Sequence, residues 1–162
     1  MDRRGFLKGF FSLSVSFIVI PVAVSDSKDK PNKIERIEKT EAEWKEILTP
    51  EQFYVLREEG TEAPFSSPLN DEKRKGQYVC AGCALPLFTS EMKYDSGTGW
   101  PSFFTCIEGH LETKRDFKLI WPRTEYHCAQ CGGHQGHVFN DGPPPTRERW
   151  CNNGVALEFI SA

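Results

Sequence analysis

The sequence has no surplus of basic residues. Its 20 Lys and Arg stand against 23 Asp and Glu, a formal charge of −3. Beyond residue 25 the balance falls to 17 against 22, or −5. Nothing basic is left over to draw the chain to nucleic acid or to an anionic membrane, and both partner classes are excluded. It also lacks an apolar run of full spanning length. The run from Gly9 to Val24 covers about 16 residues, just short of the ~17 to 25 that a bilayer crossing takes. Apart from two Cys-x-x-Cys pairs there is no internal repeat, and with 162 residues there is room for one domain and little else.

What the sequence does contain begins with a leader. Arg3-Arg4-Gly5-Phe6-Leu7-Lys8 precedes the apolar run, which ends in Ala23-Val24-Ser25. A basic start, a short apolar middle and small residues at the end predict an export signal over residues 1–25. The Arg-Arg string is similar to a twin-arginine signal, whose machinery moves folded proteins. The expected destination is the periplasm. The alternative is an uncleaved anchor in the inner membrane facing the periplasm, and only this segment would touch a membrane. Residues 26–39 are polar, mixed in charge and aperiodic, and read as a flexible linker.

A single domain is expected over residues 40–162. Thr40 with Glu43, and Thr49 with Gln52, fit two capping boxes, the second with Pro50 at the first helical position. Gly60 is placed to end the second helix. The two short helices are expected to pack Trp44, Ile47, Phe53 and Leu56 inward. From Gln77 the pattern changes to short runs separated by Gly, Pro and Asn-rich turns. These are Tyr78-Val79, Trp100 to Phe104, Phe117 to Trp121, Glu125 to His127, His137 to Phe139 and Val155 to Ile160. Such spacing leaves no room for βαβ crossovers and predicts a mainly β, antiparallel domain.

Cys80-Ala-Gly-Cys83 and Cys128-Ala-Gln-Cys131 form two knuckles with 44 residues between them. Two such knuckles supply a tetrahedral, fully closed coordination sphere, so the reading is one structural Zn²⁺ per chain, which staples a small β domain. Three disulfides in an exported protein, or one redox Cys-x-x-Cys, are the competing readings. The matched spacing of the pairs favours zinc.

Cys106 and Cys151 remain. Cys151 stands in Arg149-Trp-Cys-Asn-Asn153 at the head of the last apolar strand, with Arg149 two positions away on the same face, where it favours a thiolate. A lone strand cysteine is more often a small buried hydrophobe than a nucleophile. Histidines 134 and 137, among glycines just past a knuckle, can converge on one point, ligate a metal or sit idle at the surface. Trp100, displayed between Gly99 and Pro101, reads by itself as a core residue.

Taken together, residues from about Trp44 to Phe159 resemble the B-type methionine sulfoxide reductases, which act on the R epimer. The resemblance rests on Leu48-Thr-Pro-Glu-Gln-Phe53, Gly60-Thr61-Glu62, Tyr78-Val-Cys-Ala-Gly-Cys83, Ser96-Gly-Thr-Gly-Trp-Pro-Ser-Phe103, Cys128-Ala-Gln-Cys-Gly-Gly-His-Gln-Gly-His-Val-Phe139 and Arg149-Trp-Cys-Asn-Asn153. It implies antiparallel sheets around an active site with zinc at one end. It makes Cys151 the nucleophile, with His134 and His137 supplying a proton, Asn153 holding the sulfoxide oxygen or a water, and Arg149 and Asp141 orienting the site. Trp100 would pack on the substrate's S-methyl group, and Phe139 would line the same pocket. Oxidised proteins or peptides carrying methionine-R-sulfoxide are the implied substrates, a thioredoxin-like thiol is the implied reductant, and a monomer is expected.

Two features depart from that pattern. Relatives carry a resolving cysteine at the positions of Thr98 or Leu56, and this chain has neither. Cys106 is the only spare thiol, in an apolar stretch where a buried, inert side chain is the default, so direct reduction by an external thiol is favoured over a Cys106 disulfide. Trp150 stands where Tyr is usual and Arg147 where Gly is common, both read as rim positions. Two other function classes compete. A zinc-stapled binding module without turnover would not need Cys151, and a general thiol–disulfide oxidoreductase would need a Cys-x-x-Cys outside the metal site, of which there is none.

Overall fold

The computed structural model describes residues 34–118 and 122–162. The expected export signal, the linker through residue 33 and the end of the Phe117–Trp121 run lie outside the described residues. Ile34 to Lys39 have no regular secondary structure, and Ile37 donates its N–H to Gln130 O at 2.8 Å and packs on the core. Among the described residues no helix is long and apolar enough to cross a membrane.

Both capping boxes form. Thr40 accepts from Glu43 N at the start of α1 (Glu41–Ile47), and the Glu43 carboxylate accepts from Thr40 N at 2.7 Å. Thr49 and Gln52 repeat the exchange at the start of α2 (Pro50–Glu58), satisfying N–H groups that the first turn of a helix leaves free. Trp44, Phe53 and Leu56 are buried as expected, but Ile47 is 55% exposed. The cause is the end of α1: the chain turns extended at Leu48, which swings inward in place of Ile47. The left-handed residue after α2 is Glu59 (φ 55°), not Gly60. Gly60 is needed for a different reason, because a Cβ there would lie 2.3 Å from the Tyr54 ring.

Nine strands follow among the described residues: β1 (Gly76–Cys80), β2 (Pro86–Thr89), β3 (Lys93–Tyr94), β4 (Ser102–Phe103), β5 (Leu111–Asp116), β6 (Arg123–Cys128), β7 (His134–Phe139), β8 (Arg149–Asn152) and β9 (Leu157–Ser161). They make two antiparallel sheets, ordered β2-β1-β9 and β3-β4-β8-β7-β6-β5. The fold is mainly β, with two short helices and a cluster of four cysteines.

Two strand expectations shift. β5 ends before Phe117, in the charged sequence Leu-Glu-Thr-Lys-Arg-Asp, and Phe117 and Lys118, the described part of the expected run, lie outside it, with Phe117 73% exposed. β5 is a sheet edge, where charged side chains discourage pairing with other chains, so hydrophobicity misplaces it. The Val155–Ile160 run opens with a 3₁₀ turn over Gly154–Ala156 before β9 begins.

An aromatic core joins the sheets. Phe88 stacks on Phe103 with centroids 3.9 Å apart, Tyr78 meets Phe103 edge-on at 5.0 Å, and Tyr126 meets Trp150 edge-on at 4.9 Å. Trp150 therefore belongs to the core side of β8, not to the rim. Arg147 has φ 60°, a left-handed conformation that a glycine takes without strain, so the glycine that the resemblance implies at this position would fit it.

Candidate active site and metal centre

The register of the large sheet puts one residue from each strand into a single row. Tyr94 faces Ser102, Ser102 faces Cys151, Cys151 faces His137, His137 faces Glu125, and Glu125 faces Lys114. Directly opposed residues in antiparallel strands project to the same side. Phe103, Trp150 and Val138, one step along, turn toward the core. The strands come unusually close beside Cys151: a Cβ on Gly136 would lie 1.9 Å from Cys151 O.

Above this row lies a cavity of about 110 Å³. Cys151, His137, Trp100, Phe139 and Asn153 line it, together with Thr61 and Arg123, to which the sequence assigned no role. His134 is not a wall of the cavity. It lies 2% exposed beneath it, its ring centroid 5.5 Å from that of His137. Cys106 is not a wall either: it packs on the core cluster, and burial pushes its thiol up to about 11.

Electrostatics around Cys151 oppose one another. Burial raises the thiol above its ordinary value, while the Arg149 charge and a hydrogen bond from the Thr98 hydroxyl pull it back. Arg149 thus favours the thiolate as expected, yet burial outweighs it. The guanidinium is fixed by a two-pronged bond to Asp141 (Nε to Oδ1 2.8 Å, Nη2 to Oδ2 2.9 Å) and lies 4.3 Å over the Phe139 ring. Thr98 is itself held by a chain of hydroxyls, through Ser96 to Ser102 at 2.8 Å per link.

Each histidine carries a carboxylate partner. His137 Nε2 donates to Asp116 Oδ2 at 2.7 Å, and Arg123 donates to the same oxygen at 2.7 Å. The Lys118 backbone N–H, then His137 and Arg123, hold Asp116 far below the usual carboxylate range. His137 is lowered, chiefly by burial. His134 Nδ1 donates to Glu125 Oε1 at 2.6 Å. Burial works against the Glu125 carboxylate, but hydrogen bonds from His127 and His134 keep it down at about 2. With the proton on the carboxylate side, the other ring nitrogen is left as an acceptor. On His134 that atom, Nε2, is buried without a partner among the described residues.

Glu62 ties the cavity walls together. Its backbone O accepts from Trp100 Nε1 (3.2 Å), and its backbone N donates to Asn153 Oδ1 (3.1 Å). Its carboxylate receives Gly154 N (2.5 Å) and Val155 N (3.0 Å), just beyond Cys151. β8 ends at Asn152, so Asn153 lies past the strand, and its amide is already engaged: Oδ1 with Glu62 and Nδ2 with Gln135 O at 3.0 Å. The neighbouring Asn152 is fully buried, accepting from Tyr126 Oη (2.8 Å) and donating to Gln135 Oε1 (3.3 Å).

Gln135 leads to the second centre. Its Nε2 donates to Cys80 Sγ at 3.4 Å. Cys80, Cys83, Cys128 and Cys131 bring their sulfurs within 4.8 Å of one another, with Cys83 to Cys128 at 3.5 Å and Cys80 to Cys131 at 3.6 Å. A tetrahedron with metal–sulfur bonds of about 2.3 Å has sulfur–sulfur edges of about 3.8 Å, so these four residues can hold a metal ion.

Asp116, Arg123, Glu125, Glu62 and Thr98 therefore belong to the site without having been assigned roles. Arg123 and Glu125 alternate along β6 with His127, a period-two pattern of charge that signals one polar face of a strand. Asp116 had no comparable signal, because its role depends on the pairing of two edge-ward strands.

A family model described as the SelR domain matches residues 48–161. A Methanosarcina barkeri protein named peptide methionine sulfoxide reductase MsrB is 52% identical over 124 residues, 76% of this chain and 87% of that one. A protein of the same name from Pseudomonas putida is 53% identical over 128 residues, 78% of this chain and 96% of that one. The Arabidopsis thaliana protein named peptide methionine sulfoxide reductase B1, chloroplastic, is 44% identical over 153 residues, 90% of this chain and 76% of that one.

Proposed function

The chain belongs to the SelR-domain family of B-type methionine sulfoxide reductases, and from that premise we propose how its residues perform the reaction. It is a peptide-methionine (R)-S-oxide reductase, an oxidoreductase that returns methionine sulfoxide to methionine and so repairs oxidised protein. The observation that carries the mechanism is the cavity in which Cys151 stands opposite His137, with Trp100 on its wall.

Burial keeps Cys151 protonated at rest, so the thiol can supply the proton the reaction needs. As sulfur attacks the sulfoxide sulfur, that proton passes to a histidine acceptor nitrogen and on to the departing oxygen. The net change balances without an outside proton: thiol and sulfoxide become sulfenic acid and thioether, and the enzyme sulfur is oxidised as the substrate sulfur is reduced. Ionised Asp116 and Glu125 stabilise the imidazolium that forms in transit. Arg149 steadies the thiolate, Trp100 packs on the S-methyl group and selects the R face, and Phe139 closes the pocket beside it. A thioredoxin-like dithiol then reduces the sulfenic acid directly: one thiol condenses with it to a mixed disulfide and releases water, and the second thiol displaces Cys151 as the free thiol.

Cys80, Cys83, Cys128 and Cys131 would hold one Zn²⁺, which ties the knuckles together and contributes folding free energy, with no vacant position for substrate. The protein is further proposed to act as a monomer and, on the strength of the Arg3-Arg4 leader, in the periplasm. Cell fractionation finding it only in the cytoplasm would overturn that placement.

The test of the mechanism is Cys151→Ser, assayed on methionine-R-sulfoxide peptides with a thiol reductant. Activity should be lost with the melting curve intact, because a serine hydroxyl is too weak a nucleophile at neutral pH. Substantial remaining activity would remove Cys151 from its role.

A further inference from the structure

Next to the catalytic cavity runs a second and much larger depression, of about 800 Å³. Its floor is apolar, built from Val55, Pro68, Leu69, Val155 and Leu157, with Tyr54 along one side. Thr61 is a wall of both spaces, and Glu62, whose backbone holds Trp100 and Asn153, forms part of the larger one. The two spaces are thus neighbours across a single stretch of main chain.

Their sizes differ in a telling way. At about 110 Å³ against about 800 Å³, the catalytic cavity is the small one, with room for the tip of a side chain and not for a peptide. In methionine sulfoxide that tip is sulfur, oxygen, methyl and one methylene. The substrate's main chain and its neighbouring residues must lie outside. On the other rim of the cavity Arg123 and His137 are polar and tied to Asp116. The apolar groove borders the cavity on the Thr61 side.

We propose that this groove is the docking site for the polypeptide that flanks the sulfoxide on one side, and that it takes apolar side chains of an unfolded or loosened segment. The proposal rests on the reading of Cys151 and its cavity as the catalytic site. The occupant fits the reaction. Apolar neighbours of a methionine are exposed to such a groove when the substrate protein has lost its packing, and methionine oxidation itself disrupts packing. A groove of this depth and polarity gains affinity by burying apolar area, whereas the small cavity fixes orientation.

The experiment compares kcat/KM for N-acetyl-methionine-R-sulfoxide methylamide with that for peptides carrying leucine and valine on the N-terminal side only, the C-terminal side only, or both. Extension on one side alone should raise kcat/KM about tenfold, mainly through KM, with the two-sided peptide no better. Leu69→Glu should abolish that gain and leave the methylamide unaffected. Because Leu69 packs partly against the core, Tyr54→Glu at an exposed position is the second variant, with the same expectation. Equal kcat/KM for methylamide and peptides, or equal loss on both, overturns the groove. So does a loss confined to turnover with thioredoxin and absent with dithiothreitol, which would give the surface to the reductant. No turnover of the methylamide by the wild-type protein would instead overturn the catalytic reading beneath it.

Discussion

Glu62→Ala tests whether the cavity walls are held from outside the strands. The carboxylate takes two backbone N–H groups, at 2.5 and 3.0 Å, from the two residues that follow Asn153. Leaving two such donors without a partner costs about 1–3 kcal/mol each when buried. These are partly reachable by water, so a loss of about 2–4 kcal/mol in all is expected. For a domain of this size each kcal/mol lowers the melting temperature by about 3–5 °C, giving a drop of roughly 10 °C. Glu62→Gln keeps one acceptor and turns an NH₂ group toward the other donor, so it should fall about halfway. The kinetic consequence is separate. The backbone of Glu62 also holds the Trp100 indole and the Asn153 amide, and displacing a substrate-positioning wall by about 1 Å can cost about 100-fold. Catalytic efficiency on R-sulfoxide should therefore fall by about one to two orders of magnitude, with metal content unchanged at room temperature. Calorimetry and steady-state kinetics on the same preparation decide it. A lower melting temperature with unaltered kinetics would refute the link from Glu62 to the site, and no change in either would refute the whole argument.

Three further outcomes follow from the geometry. Arg149→Met removes the positive charge that offsets burial at Cys151. Its thiol should titrate higher still, so reaction with a small alkylating reagent at neutral pH slows several-fold and recovers as pH rises; an unshifted profile would contradict this. Zinc in a closed thiolate site supplies about 10–16 kcal/mol of apparent binding free energy, which matches or exceeds the about 5–15 kcal/mol of a whole domain. Cys128→Ser should therefore lose the metal and the cooperative melt together, and full activity in metal-free protein would dismiss the assignment. Cys106→Ser should turn over normally, and mass spectrometry after one turnover without reductant should find Cys151 as a sulfenic acid trappable by dimedone. A Cys106–Cys151 disulfide would refute direct reduction.

The sequence is most informative where chemistry depends on neighbours along the chain. The two capping boxes are local, and both form as Thr40–Glu43 and Thr49–Gln52 predict. The cysteine knuckles are local too, each closing within four residues, so the cluster can be read from spacing. Ile47 escapes its expected burial because the break in α1 depends on what Leu48 finds to pack against, which is tertiary information. β5 is hidden from a hydrophobic pattern because an edge strand needs charge more than hydrophobicity. The partners of the histidines are out of reach: Asp116 meets His137 only because β5, β6 and β7 pair in one register. Glu62 lies 91 residues from the Asn153 that it braces.

The row Tyr94, Ser102, Cys151, His137, Glu125 and Lys114 draws one residue from each of six strands. No short fragment of the chain can therefore inherit the chemistry. Deleting a single residue early in β8 would keep nearly every motif and yet present a neighbour of Cys151 to the cavity, since a one-residue slip sends each side chain to the opposite face. Gly136 sharpens the point, because no other residue fits where the strand crosses Cys151 O. Length added between Pro143 and Arg147 falls outside every ladder and can be absorbed there. Lineages that keep this site are free to lengthen or shorten in their loops and are bound to an unbroken count within their strands.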